Sequence, residues 1–245
     1  KSSNIGTYKL SSKLGRQGLY GYIQAFGFGR KTGVELSGEI SGIVHPAKRW
    51  SGTSMSRIGM GYEVAVTPLQ MAMAMGSVAN GGRLLRPSIV SGVYDPDGKV
   101  VSRFRPEVVS EPISPQASQL LRMALAEATD DGGTGVQARV ENWTVAGKTG
   151  TAQRYDERLG RYVKGKYVVS FAGYAPRENP ELVVVVVVDD PKNEKRFGGT
   201  VAAPVFSKII GPSLDYLAIQ GEIGKSGPLL SSSHADKQVS GGRRK

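Results

Sequence analysis

Six consecutive valines, Val183 to Val188, constrain the fold of this chain more than any other feature. β-Branched side chains are stiff at χ1 and favour strands, and a run without polar alternation has no wet face. The pattern predicts a strand over Glu181 to Asp189 that is central in its sheet and covered on both faces. The uninterrupted apolar stretch, Leu182 to Val188, falls far short of the roughly 20 residues that cross a bilayer.

Two more strands precede it, Thr144 to Ala152 and Tyr167 to Tyr174, joined by a loop of mixed charge over 154 to 166. Pro176 to Pro180 forms the next turn. Helices are expected over Ile5 to Leu14, with Ser3 or Asn4 as N-cap and Gly15 as stop, and over Leu19 to Phe26, closed by Gly27 and Gly29. Residues 30 to 61 read as irregular. Thr67 and Pro68 open a helix from Leu69 to Ala79, with Met71, Met73 and Met75 as core packing. Val90 to Tyr94 and Lys99 to Phe104 flank an Asp95-Pro96-Asp97-Gly98 turn and predict a hairpin. Ser114 and Pro115 start a helix to Thr129 whose Leu120, Leu121, Ala124, Leu125 and Ala128 have core spacing. Ala202 to Leu217 is helical despite Pro204 and Pro212, and could lie on the sheet. The fold class is therefore α/β (α+β), an antiparallel sheet flanked by helices.

Composition removes several chemistries. Among 245 residues there is no cysteine, so disulfide scaffolds and thiol nucleophiles drop out, and two histidines make a histidine metal or acid–base site improbable. Catalysis would have to run on hydroxyls, lysines or carboxylates. No metal or cofactor is expected, and Asp189-Asp190 reads as a solvated strand end. The formal charge is +11. Residues 221 to 245 contribute five basic residues against Glu222 and Asp236 and read as a flexible basic Gly/Ser-rich tail, set apart from a domain over 1 to 220. The remaining charge is dispersed, the mark of a solvated basic surface, and no nucleic-acid partner is expected.

Two glycine motifs fail. Gly147-Lys148-Thr149 resembles the end of a phosphate-binding loop, but Asn142 stands where that loop needs glycine, and strand rather than helix follows. Gly27-Phe28-Gly29 with Gly33 misses the dinucleotide spacing by one residue. The same GKTGT segment makes better sense as a strand that binds an anionic peptide. Gly150 would let a ligand approach the main chain, Lys148 would supply charge, and the Thr149 and Thr151 hydroxyls, two apart and on one face, would hold a carboxylate. K-T-G is an element of active-site serine β-lactamases and penicillin-binding proteins, and Ser2-Ser3-Asn4 fits their S-x-N element, although a helix cap explains it equally.

With KSSN (1 to 4), AFGFGRKTGVELSGEISG (25 to 42), GYEVAVTPLQMAMAMGSVANGG (61 to 82), VAGKTGTAQ (145 to 153) and GGTVAAPVFSKII (198 to 210), the sequence resembles the transpeptidase domain of class B penicillin-binding proteins. The resemblance implies the serine β-lactamase/penicillin-binding-protein fold and a D,D-transpeptidase that cross-links peptidoglycan stem peptides ending in D-Ala-D-Ala during division or elongation, with β-lactams as inhibitors. It implies a parent anchored in the plasma membrane with its catalytic domain outside the cytoplasm, working with division or elongation proteins. Ser2 would relay a proton, Lys148 would polarise that hydroxyl network, and Asn4 would bond the donor's amide side. Thr149 and Thr151 would bind the carboxylate, and the Thr151 N–H would form half of the oxyanion hole. The family's nucleophile is the serine of S-x-x-K, and no serine here has a lysine three residues later. The simplest expectation is that the chain is N-terminally truncated, beginning downstream of that segment; a non-catalytic peptide- or β-lactam-binding or divisome-docking module is the alternative.

Overall fold

A computed structural model describes residues 2–156, 158–192, 196–219 and 221. The elements run α1 (Asn4–Ala25), β1 (Ile43–Val44), α2 (Ser54–Gly59), β2 (Val64–Ala65), α3 (Pro68–Ala79) and β3 (Leu84–Leu85). They continue with β4 (Gly92–Tyr94), β5 (Val100–Arg103), β6 (Val108–Ser110), α4 (Pro115–Ala126), β7 (Ala146–Asp156), β8 (Arg161–Ala175), β9 (Leu182–Asp189) and α5 (Gly198–Tyr216).

Local chemistry sets the boundaries. The Ser3 hydroxyl accepts the Gly6 N–H and caps α1, which breaks at Gly15, where φ is 70° and ψ 170°. Two helices thus meet where the sequence placed its stop. Thr67 and Gln70 close a reciprocal capping box on α3, and Pro68 occupies the first turn. The Gln70 amide also donates to the Arg30 and Ser41 carbonyls, so one buried side chain caps a helix and pins the irregular segment before it. Ser114 caps α4.

β7, β8 and β9 form an antiparallel sheet in that order, so β8 is central. This corrects the expectation for the valine strand: β9 is an outer strand of the described sheet. Its two faces are nevertheless covered over most of their length, Val187 being the exposed exception. Val184, Val186 and Val188 pack with Phe171 and Phe206 under α5, while Val183 and Val185 pack with Met75, Ala79 and Tyr174 under α3. Cover from helices on both sides produces the same unbroken apolar run as a central position would. On α5, Phe206, Ile210 and Leu214 are fully buried, which contributes roughly 5–9 kcal/mol against an exposed reference. The helix runs through Pro204 and Pro212.

Two further expectations change. Residues 154 to 166 form no loop, because β7 and β8 extend to Asp156 and Arg161 and pair again as Tyr155 with Tyr162 beyond a register shift between Gln153 and Tyr155. Leu120, Leu121 and Ala124 of α4 face solvent, while Leu125 and Ala126 pack inward. The small Ser118 lies against α3, its hydroxyl donating to the Val78 carbonyl at 2.7 Å. The tail expected over 221 to 245 lies, apart from Gly221, outside the described residues.

Candidate active site

The K-T-G segment sits on β7, an outer strand of the described sheet, so its far edge carries main-chain groups without a strand partner. Alternation divides its side chains. Lys148 pairs in register with Ala172 on the α3 face, whereas Thr149 pairs with Phe171 and Thr151 with Val169 on the α5 face. The two threonines therefore share one side, as the sequence predicts. The Lys148 ammonium still reaches the Thr149 carbonyl at 3.0 Å and the Thr149 hydroxyl at 3.4 Å, which requires it to curl around the strand edge. Burial disfavours its charged form and lowers its pKa below the ordinary lysine value.

On the α5 face, Thr149 and Thr151 line an open cleft of about 400 Å³ together with Thr134, Gln137, Phe197 and Thr200. None of its lining residues carries a carboxylate. The Thr134 and Thr149 hydroxyls are 3.0 Å apart, and Thr151 Oγ1 accepts the Gly198 N–H at 3.1 Å. That second bond ties the first turn of α5 to the strand. A Cβ on Gly198 would stand 2.3 Å from the Ser170 carbonyl oxygen and 2.5 Å from that of Gly150, so the helix start touches bare main chain. Gly150 thus has a packing role in addition to the one read from sequence: a Cβ there would meet Ser170 Oγ at 2.3 Å.

Lys148, Thr149, Gly150 and Thr151 come together on one strand. Ser2 and Asn4 lie at the exposed start of α1. The hydrogen bonds of Lys148 both go to Thr149, and the Asn4 carbonyl accepts the Thr7 hydroxyl. Sequence reasoning did not single out Thr134, Thr200 or Phe197. Phe197 directly precedes the GGTVAAPVFSKII string and Thr200 is its third residue; the paired glycines between them are the signal that a close approach occurs there. Among the described residues no cluster of metal-ligating side chains occurs, and no helix is long and apolar enough to cross a membrane.

The sequence pattern of the penicillin binding protein transpeptidase domain matches residues 1–211. The chain belongs to this family. It is 41% identical over 220 residues to stage V sporulation protein D of Bacillus subtilis, a match spanning 89% of this chain and 34% of that protein. With peptidoglycan D,D-transpeptidase FtsI of Escherichia coli it shares 34% identity over 221 residues, or 90% of this chain and 35% of the other. Penicillin-binding protein 3 of Mycobacterium tuberculosis, solved with aztreonam, superposes with a TM-score of 0.82 at 34% identity, covering 93% of this chain and 51% of that one. The transpeptidase fold and the class B kinship expected from the sequence are borne out. The chain spans about a third of the length of the curated relatives it matches.

Proposed function

We propose that residues 1 to 220 are the C-terminal part of a peptidoglycan D,D-transpeptidase domain and supply its donor-binding half. The observation that carries this reading is Lys148 curled over the edge of β7 beside two threonines in a cleft without carboxylates. A cation and hydroxyls at a strand edge suit an extended peptide ending in a carboxylate. Thr149 and Thr151 hold the terminal carboxylate of D-Ala-D-Ala, and a β-lactam's carboxylate takes the same place. Gly150 keeps the main chain approachable.

In the full enzyme a serine attacks the penultimate D-alanyl carbonyl, its proton passing through Ser2 to the departing D-alanine nitrogen, and a neighbouring stem-peptide amine then takes the acyl group. Lys148, with its lowered pKa, keeps the Ser2 hydroxyl polarised, and Asn4 bonds the donor amide. The Thr151 N–H stabilises the oxyanion, a contribution typically worth ~3 kcal/mol of barrier. The parent is anchored in the plasma membrane, faces outward, and serves division or elongation with the proteins of that machinery. The lack of any S-x-x-K within the 245 residues favours a second reading for the chain by itself, a non-catalytic binder of the same peptide end.

The test uses the whole chain with diacetyl-L-Lys-D-Ala-D-Ala and a fluorescent penicillin. Reversible peptide binding is expected, weakened about tenfold or more by Lys148→Ala and by Thr149→Val, a loss of roughly 1.4 kcal/mol or more. Equal affinity for the L-Ala-L-Ala analogue, or no change in Lys148→Ala, would refute the assignment. Intact-protein mass spectrometry is expected to show no penicilloyl adduct; a stoichiometric one would require a nucleophile not identified in the sequence.

A further inference from the structure

The outer half of the β7–β8 hairpin meets the body of the protein at an aromatic junction centred on Tyr162. Its ring lies edge-on to Tyr62, with centroids 5.2 Å apart, and to Tyr155, also at 5.2 Å, and its hydroxyl accepts the Glu63 N–H at 3.2 Å. The Arg57 guanidinium, from α2, stands 5.5 Å from the Tyr162 centroid and 6.0 Å from that of Tyr62. Arg57 Nε lies 2.7 Å from a Glu63 carboxylate oxygen, a close ion pair without the alignment of a straight hydrogen bond. Glu63 itself has φ of 61°, a left-handed conformation that a non-glycine residue adopts only when its surroundings hold it there.

One cation therefore joins three parts of this junction: the Tyr162 ring of the hairpin, the Tyr62 ring from the loop after α2, and the carboxylate of Glu63, the strained residue between that loop and β2. We infer that Arg57 is a positioning residue that fixes the outer hairpin against α2 and, through it, the edge of β7 four residues away at Thr151. The inference rests on the reading of β7 as the donor-binding strand. A planar guanidinium suits this task because it offers a face to the rings while its rim pairs with the carboxylate. If the hairpin loosens, a smaller fraction of molecules presents the binding edge, and apparent affinity for the peptide falls by that fraction although no cleft residue has changed.

Hydrogen–deuterium exchange on the 245-residue chain tests this, comparing peptides from 152 to 166 with those from 168 to 175. Arg57→Met should raise exchange in the outer hairpin about tenfold and leave the inner strand within about twofold, in line with the strength of exposed cation–π and ion-pair contacts. Arg57→Lys, which keeps charge but not the planar face, should fall between, and Tyr162→Phe, which loses only the hydroxyl, should show a smaller rise. Outer-hairpin exchange within about twofold of wild type in both Arg57 variants overturns the inference, as does an equal rise in both regions. Affinity for diacetyl-L-Lys-D-Ala-D-Ala should weaken in Arg57→Met. Raised exchange with unchanged affinity would refute the link to the site while leaving the proposed function standing. No peptide binding even by wild type would instead sink the proposed function, and the exchange result would be unaffected.

Discussion

Replacing Gly198 by alanine adds one methyl group where the first turn of α5 crosses the sheet. That methyl would lie 2.3 Å from the Ser170 carbonyl oxygen, 2.5 Å from the Gly150 oxygen and 3.1 Å from the Gly150 nitrogen. All three are main-chain atoms of paired strands, so no rotamer change relieves the overlap. The helix must withdraw by about an ångström, yet Phe206, Ile210 and Leu214 hold it in the core. Overpacking of this kind costs about 1–3 kcal/mol. Withdrawal also breaks the Gly198 N–H bond to Thr151, worth about 1 kcal/mol more. A total near 2–4 kcal/mol would lower the urea midpoint by about 1 M at the m-values usual for such a domain. Gly150→Ala should be milder, since its methyl meets Ser170 Oγ, a side-chain end that can rotate away. Gly21→Ala, inside α1 with nothing within 4 Å of the added carbon, should stabilise by roughly 0.5–1 kcal/mol. Equilibrium urea unfolding of the three variants decides the matter. A Gly198→Ala midpoint within about 0.2 M of wild type, or a cost for Gly150→Ala as large, would show that the helix start does not bear on the strand as described.

Two other perturbations follow from the same contacts. Lys148 binds its proton less tightly in the folded chain than in the unfolded one, so it costs stability in full below its folded pKa, and the cost declines as pH rises from there to the unfolded value, where it vanishes. Lys148→Met should therefore be more stable than wild type near pH 7, by under about 1 kcal/mol given its partial exposure, with the gain shrinking toward pH 10.5; a gain that grows with pH would contradict the sign. Gln70→Leu leaves the Arg30 and Ser41 carbonyls and the Thr67 N–H without their partner and should cost about 2–4 kcal/mol by urea unfolding, whereas a neutral result would mean that water replaces all three bonds.

Signals that act within a turn or two were readable. Thr67 with Pro68, Ser114 with Pro115, and Gly15 each marked a boundary because the physics of caps and positive φ is local. The valine run announced burial on both faces but could not report which edges are hydrogen-bonded, since helices above and below β9 leave the same imprint as flanking strands. The outer hairpin was hidden for the opposite reason. Its strands are rich in charge, largely exposed, and packed on the body through Tyr162, so neither alternation nor an apolar run betrays them. On α4 the spacing of leucines offered a stripe, but the inward side was settled by a serine small enough for close helix contact. Within the site, the contiguous Lys148 to Thr151 was legible as a string, while Thr134 reaches Thr149 from a loop 15 residues away and nothing local points to it.

The register shift between Gln153 and Tyr155 divides β7 into two stretches with different tolerance for changes in length. Inside Ala146 to Ala152, one inserted or deleted residue would exchange the two faces, swinging the lysine toward α5 and the threonines into the packing around Met75 and Tyr174. Beyond Gln153 the ladder already accommodates an irregularity, and at the tip of the hairpin, past the Tyr155–Tyr162 pair, a further residue leaves both the packed faces and the Tyr162 junction in place. Divergence among relatives of this chain should accordingly write its insertions into the far end of the hairpin and leave the spacing of the near end untouched.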